Sequence, residues 1–591
     1  MTLSASLQMA QRRIMLFCFG FISGLALWQL AENWDNPALS PALYLALFSF
    51  IGSYATLALA LCGPVPMRRA LPGALILALP FSGLISLGGL RYDLATNVLD
   101  QPILISVSLL FLLLATPFLL VGLQDRRAWR DYAALFEAAW TLTIRYLSAW
   151  VFVSLFWLMM FLSNALLELV DVEIIQWIID IDWLVFALTG GVLGLAMAVV
   201  FELRTTVSPF LLLRLLRLLV VPVLAVVALF LAAIPLRGLS QVFGDFSAAA
   251  TLMSVAMVMI TLIAVVLERD DARMRDSFTI SHATQALALL LPLVTGLAAW
   301  SIWLRVAEYG WTPDRVLATC TSGVLLGYGL LYALAVLRRL GWSKRIRRIN
   351  VGLALVSIAI SASLLTPLLN TDRISANSQV ARYLDGGLPI EDLPLWQMQF
   401  EWGRSGQAAI AALENSSTGQ SLELVERLQR LQSAKSRWEF SHSVQDDRLD
   451  TLKAELVELM PIRPKGQELQ IEDLKGLQVN QLSPWVAGCR RNLPDGRPGC
   501  VMVIDEFAPT TSRQGVVLYS NGDGFQSVNS NHIVLDDVDF SRVNSAKVVE
   551  GERGSDLNTS AIEAILDGNY SVGPSSLRVL HVDGFEIMPN P

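Results

Sequence analysis

A membrane-embedded all-α bundle of about eleven transmembrane helices, followed by a soluble α+β C-terminal domain, is the fold class that three observations predict. The 591 residues are 54% hydrophobic and only 16% charged, against roughly 25% charged in soluble domains. Long apolar runs alternate with short charged loops as far as Asn370; beyond it Gln, Ser, Asp, Glu and Arg recur at globular frequencies. Lys and Arg gather in every second loop between the runs.

A bilayer core about 30 Å thick takes about 20 apolar residues in a helix. Segments of that kind run over residues 14–30, 41–62, 71–90, 102–123, 146–169, 183–201, 218–236, 248–267, 287–306, 316–337 and 349–369. The first follows Arg12 and Arg13, as a signal peptide would. It ends in LALWQLAENW, where Trp28 and Gln29 crowd any small-residue cleavage site, so it reads as a retained helix.

Cytoplasmic loops collect Lys and Arg. Arg12 and Arg13 precede the first span, and Arg68 and Arg69 follow the second. Arg126, Arg127, Arg130 and Arg145 follow the fourth, and Arg204, Arg214 and Arg217 the sixth. Arg269, Arg273 and Arg275 follow the eighth, and a run from Arg338 to Arg348 follows the tenth. The alternate loops hold only Arg91, Arg237, Arg305 and Arg315. The N-terminus is therefore expected in the cytoplasm, and an odd number of crossings puts everything after Leu369 outside it.

Three regions follow: a bundle over 1–369, a helical extracytoplasmic segment over 370–462 and a β-rich extracytoplasmic module over 463–591. In the helical segment Ser375 reads as an N-cap and Gly386–Gly387 as a stop. SLELVERLQRLQSAKSRW and DRLDTLKAELVELM carry leucines at helical spacing. CVMVIDEF, GVVLYS, HIVLDDV and LRVLHVDGFEIM are strand-like runs, with Asn521–Gly522 a hairpin signal. Cys489 and Cys500 are the only cysteines of the tail, and Pro-Asp-Gly between them reverses the chain. In an oxidising compartment they are expected to form a disulfide. Asp505, Glu506, Asp536, Asp537 and Asp539 lack calcium-loop spacing and read as solvated strand ends.

Inside the membrane the informative residues are small. Gly20 and Gly24, Gly190 and Gly194, and Gly323 and Gly327 each form a Gly-xxx-Gly face, read as helix packing. The centres of all spans lack charge, which argues against a pump with buried carboxylates. The stretch LELVDVEIIQWIIDIDW reads as an interfacial half-helix with Trp177 and Trp183 at headgroup depth.

Chemistry-bearing motifs are sparse. Four histidines form no HExxH or other metal cluster, and no phosphate loop or Gly-x-Ser-x-Gly elbow occurs. No catalytic residue, cofactor or metal is assigned. A net charge of −7 offers no basic surface for nucleic acid. Glu32 and Asp35, in the first outer loop, are the one acidic pair that a lipid-linked glycosyl or other group transferase could use.

The pieces RVAEYGWTPDRVLA, DRISANSQVARYLDGGL and FEWGRSG resemble the domain-of-unknown-function 4153 family of bacterial multi-pass membrane proteins. That resemblance implies a bacterial inner membrane, with the far side the periplasm, and it carries no catalytic residue with it. All three pieces fall on the outer side. Tyr309, Gly310, Thr312, Pro313 and Arg315 are therefore expected to dock against Arg373, Ser375, Gln379, Arg382 and Arg404 as a clamp between bundle and tail. The leading expectation is an envelope scaffold or interaction protein, with the bilayer and an envelope protein as partners. The alternatives are a carrier with a lipid or small-solute ligand, and the transferase.

Overall fold

The computed structural model describes residues 2–33, 40–93, 98, 101–203, 209–237, 248–268, 278–415, 422–507, 513–521, 528–535, 543–550, 557–573, 579–582 and 585–588. The chain divides into two compact units, Met1–Ser421 and Leu422–Pro591.

In the first unit, helices follow one another as α1 (Thr2–Glu32), α2 (Pro41–Leu61), α3 (Met67–Gly89), α4 (Pro102–Gln124) and α5 (Tyr132–Glu168). Then come α6 (Ile174–Ile179), α7 (Asp182–Glu202), α8 (Pro209–Leu218), α9 (Val220–Arg237) and α10 (Ala248–Leu267). The last are α11 (Phe278–Tyr309), α12 (Pro313–Leu337), α13 (Trp342–Leu364), α14 (Thr371–Leu384) and α15 (Gly403–Glu414). Ten of these, among the described residues, are long and apolar enough to cross a membrane. The eleventh expected span, α9, has a shorter apolar stretch, Val220–Ala233.

Polar contacts between helix ends settle whether α9 traverses the bundle. The Arg145 guanidinium, near the start of α5, donates to Ala60 O at 3.0 Å, Cys62 O at 3.3 Å and Met197 O at 3.5 Å, at the ends of α2 and α7. Arg13, in the first half of α1, pairs with Glu202 at the end of α7. Tyr132 at the start of α5 donates to Ala264 O near the end of α10. Asn350, near the start of α13, donates to the Tyr132 hydroxyl. The ends of α2, α7 and α10 and the starts of α5 and α13 therefore share one end of the bundle with the first half of α1. With α7 and α10 both finishing there, the chain between them runs to the opposite end and back. α9 and α10 are the legs of that excursion. Among the described residues, ten helices of spanning length and α9 thus traverse the first unit, and α13 finishes opposite to where α1 starts.

α1 and α7 run antiparallel along a seam of glycines. A Cβ on Gly20 would lie 2.0 Å from Gly190 O, and one on Gly194 2.1 Å from Leu16 O. Backbones this close exist only because no side chain intervenes. The Gly323–Gly327 face is different: nothing lies within 4 Å of a Cβ at Gly323, and Gly327 meets only Leu353. The close approach of α12 falls at Gly329 instead, where a Cβ would meet Thr295 Oγ1 at 2.6 Å and Pro292 Cα at 3.1 Å. Gly-xxx-Gly spacing alone did not reveal which face meets a neighbour.

α14 begins five residues earlier than its sequence suggested. Asn370 is the N-cap, its Oδ1 accepting from the backbone N–H of Asp372 and Arg373. Ser375 is interior and bonds back to Thr371 O. Asn caps as well as Ser does, and the upstream Asn-Thr-Asp offered the earlier start.

The second unit opens with α16 (Leu422–Ser433) and α17 (Arg437–Leu459), the latter capped by Ser436, so the expected single run over SLELVERLQRLQSAKSRW breaks in two. It continues with β1 (Ile462–Arg463), α18 (Val479–Cys489), β2 (Cys500–Ile504), β3 (Gln514–Ser520), β4 (Val528–Val534) and β5 (Val543–Ser545). It closes with β6 (Lys547–Glu550), α19 (Thr559–Asp567), β7 (Tyr570–Gly573), β8 (Val579–Val582) and β9 (Phe585–Met588). Strands β1 to β5 form one sheet in chain order, antiparallel except for β1 with β2; the other sheet runs β6-β9-β8-β7. β2 is apolar at every position because both faces of its sheet are covered. Met502, Ile504 and Val517 pack with Leu482 and Trp485 of α18. Val501, Val503 and Val516 pack with Ile562 and Ile565 of α19 and Leu580 of β8. His532 of β4 is enclosed in this unit, and burial pushes its imidazole down to about 4. Asp505 and Glu506 follow β2, whereas Asp536, Asp537, Asp539 and Gly522 of the hairpin signal lie outside the described residues.

Cys489 and Cys500 form a disulfide, with Cα atoms 4.7 Å apart, joining the end of α18 to the start of β2. The loop between them turns at Pro494 and Asp495, where Gly496 N donates to Leu493 O. Cys18, Cys62 and Cys320 are free thiols.

Two predictions follow from this architecture. Denatured but unreduced protein should take up maleimide at Cys18, Cys62 and Cys320 only, with Cys489 and Cys500 adding to the mass shift after reduction. Gly190→Ile should destabilise the detergent-solubilised chain by about 1–3 kcal/mol or more in thermal unfolding, while Gly323→Ala leaves the midpoint in place.

Candidate functional site

Two features of the first unit gather polar chemistry: a set of contacts at the end of the bundle where α13 finishes, and a cavity along its length.

The contacts begin where α11 stops. Gly310, at a φ of +73°, turns the chain into a conformation other residues rarely adopt. A Cβ there would also lie 2.6 Å from Arg382 Cδ. The last carbonyls of α11 need partners outside their own helix. α14 supplies them: Arg382 donates to Ala307 O and Glu308 O, and Gln379 Nε2 to Tyr309 O at 3.1 Å and Trp311 O at 2.9 Å. Ser378 Oγ accepts from Trp311 N. Arg315 folds back onto Gly310 O at 2.7 Å and Tyr309 O at 3.2 Å, with its guanidinium over the Tyr309 ring. Thr312 caps α12 and Pro313 occupies its first turn.

The structure thus brings together Tyr309, Gly310, Arg315, Gln379 and Arg382. It leaves out three residues expected to join them. Arg373 is exposed, and Ser375 is buried within its own helix. Arg404 serves a different loop: its Nε meets Asp93 Oδ1 at 2.9 Å and its backbone N–H donates to Arg91 O. Gly403, at a φ of +52°, permits that approach, since a Cβ would lie 2.4 Å from Arg91 O.

Beside this loop lies a buried group that sequence reasoning missed. Arg91 donates to Leu364 O at 2.8 Å and to Thr366 O, at the end of α13. Tyr92 donates to Asp372 Oδ2 at 2.8 Å, and Thr371 Oγ1 to Asp372 Oδ1. Burial pushes the Asp372 carboxyl up and the Arg91 guanidinium down; burial, then the neighbouring carboxylate, raises the Tyr92 phenol. The available signal was Arg91 itself, an arginine in a loop class otherwise poor in them.

The cavity has two chambers. One, of about 590 Å³, lies among α1, α2, α4 and α7, with Gly24, Ser49, Ser108 and Thr189 in its wall. The other, of about 880 Å³, lies among α2, α4, α5, α10, α12 and α13, with Tyr132, Tyr146, Tyr328, Tyr332 and Asn350 in its wall. Thr56, Leu109, Leu112, Trp150 and Leu193 line both, so the chambers adjoin. Leu104 and Val185 of the first chamber stand at the starts of α4 and α7; Ala264 and Asn350 of the second stand at the opposite end of the bundle. Leu109, Leu113, Leu147 and Trp150 line the cavity and are exposed, which puts an opening between α4 and α5. Among the described residues, no ionisable acid or base lines either chamber, apart from tyrosine hydroxyls.

Glu32 is exposed near the end of α1, and Asp35 lies outside the described residues. Among the described residues no cluster of His, Cys, Asp and Glu could hold a metal.

An apolar bundle of traversing helices, closed at one end by a bonded loop and hollowed along its length, defines a multi-pass helical membrane protein. The chain belongs to the family described as Domain of unknown function (DUF4153), whose model matches residues 38–399. That span runs from just before α2 to just before Gly403, so it takes in the α11–α14 contacts and most of the cavity wall. No curated protein and no solved structure matches the chain.

Removing the partners of α11 should be costly. Gln379→Ala and Arg382→Ala should each lower stability by about 0.5–1.5 kcal/mol, because the last carbonyls of α11 lose their donors. Arg373→Ala, on the same helix, should leave the thermal midpoint in detergent unchanged.

Proposed function

We propose that this protein binds a membrane lipid within its bundle, as a lipid carrier or lipid-dependent envelope protein of the bacterial inner membrane. The observation that carries the reading is the pair of adjoining apolar chambers. Ligand sites commonly have volumes of about 300–1,000 Å³ and are apolar with a few placed polar groups. A polar solute would find too few partners in a wall of Leu, Phe, Ala and Val. A lipid finds matching apolar surface, and the exposed gap between α4 and α5 opens sideways, toward where lipids are. Of the roles the sequence suggested, a lipid carrier thus fits the bundle better than an inert scaffold, whose helices would pack without such space.

The orientation in this reading places the start of α1 in the cytoplasm, following the arginine-rich loops. Residues after Leu369 then lie in the periplasm, since no further apolar run of spanning length follows. The Cys489–Cys500 disulfide supports that side, because such bonds persist in oxidising compartments.

Ala139→Trp projects an indole into the larger chamber, whose wall includes Ala139. Native mass spectrometry of the full chain in mild detergent should show co-purified lipid, reduced about tenfold or more in this variant. Leu158→Trp, on an exposed face of the same helix, should retain it. Equal occupancy in all three proteins would remove the cavity as the binding place.

A further inference from the structure

The larger chamber has a hydrogen-bonding character that narrows its ligand. Most hydrogens on its wall are already committed. Tyr146 donates to Thr56 O, Tyr132 to Ala264 O, and Tyr332 to Asn350 Oδ1. The hydroxyls of Thr116, Thr143 and Thr261 bond back to their own helices. The Tyr328 hydroxyl and the indole N–H groups of Trp140 and Trp150 also belong to the wall, and among the described residues they have no acceptor. Neither the Tyr328 hydroxyl nor the Trp140 indole N–H is a sealed, unsatisfied polar atom, so both reach open space, while Trp150 is an exposed residue of the wall. The wall therefore offers surplus donors. It offers no cation to balance a phosphate and no carboxylate to hold an amine. Enclosing either charge without a partner costs far more than a hydrogen bond returns.

A ligand that suits this wall accepts hydrogen bonds, carries no charge at that point and extends into apolar chains. Ester carbonyls meet all three conditions. We propose that the larger chamber receives the ester zone of an acylated glycerol, its carbonyls accepting from Tyr328 and Trp140. This rests on the lipid reading above and adds the part of the lipid that is recognised. Two sources share that chemistry: a diacylglycerol, whose single hydroxyl finds acceptor oxygens among the tyrosines and threonines of the wall, and a phospholipid, whose charged head stays outside.

The test compares three lipids with identical hydrocarbon chains on the purified full chain by native mass spectrometry: dioleoylglycerol, its diether counterpart without carbonyls, and dioleoyl phosphatidylglycerol. Wild type should hold the diester about tenfold more tightly than the diether, as two modest hydrogen bonds allow. The double variant Tyr328→Phe/Trp140→Phe should lose that preference while binding the diether as before, which also shows that it is folded. Phosphatidylglycerol bound as tightly as dioleoylglycerol, and weakened alike in the double variant, identifies a phospholipid as a source; diacylglycerol binding alone identifies the other. Equal diester and diether affinity in wild type, or a preference that survives the double variant, would overturn the ester assignment yet leave lipid binding standing. If Ala139→Trp binds every lipid as wild type does, the cavity reading itself fails.

Discussion

Arginine side chains bonded to the terminal carbonyls of helices hold this bundle in register. A helix ends with carbonyls that its own backbone cannot satisfy, and with the negative pole of its dipole. Near the bilayer boundary water is an unreliable partner for them. Arg145 closes α2 and α7, Arg347 bonds Leu267 O at the end of α10, Arg382 closes α11, and Arg91 closes α13. Each bond joins helices far apart in the chain. Together they fix which ends meet among α2, α5, α7, α10, α11, α13 and α14. Both the cavity and the attachment of α14 depend on that arrangement.

Bonds of this kind explain two of the four exceptions to the charge pattern. A strict positive-inside rule would leave the loops at the far end without arginine. Arg91 and Arg315 stand there, and each spends its guanidinium on backbone carbonyls. They are structural donors set at a helix terminus. Arg13, by contrast, pairs with Glu202 at the arginine-rich end. A charge count treats all of these alike, whereas the structure shows which of them bond to the end of a helix.

Much of the bundle was legible because lipid imposes a simple demand: about 20 apolar residues, then a polar break. α9 follows the same rule: its apolar run over 218–236 is long enough to read as a span, and the ends of its neighbours agree. The disulfide was legible as well, from two isolated cysteines around a Pro-Asp-Gly turn. The site was read less completely. Tyr309, Gly310, Arg315, Gln379 and Arg382 come together as their motif pieces suggested, but Arg404 meets Asp93, which no local pattern connects to it. The Tyr92–Asp372 pair and the cavity arise from helices hundreds of residues apart, and neither has a sequence period to betray it. Gly323 and Gly327 carry the same spacing as Gly20 and Gly24 yet face open space or a leucine side chain, because spacing describes one helix and packing needs two.

The glycine seam between α1 and α7 also sets a schedule for assembly. Arg13 and its partner Glu202 are 189 residues apart. At about 5–20 residues per second of synthesis, α1 waits roughly 10–40 s in the bilayer before its mate emerges. During that interval Gly20 and Gly24 present bare backbone to lipid or to other nascent helices. Until then α1 has only earlier-made neighbours such as α2 to pack against, and its glycine face is completed last.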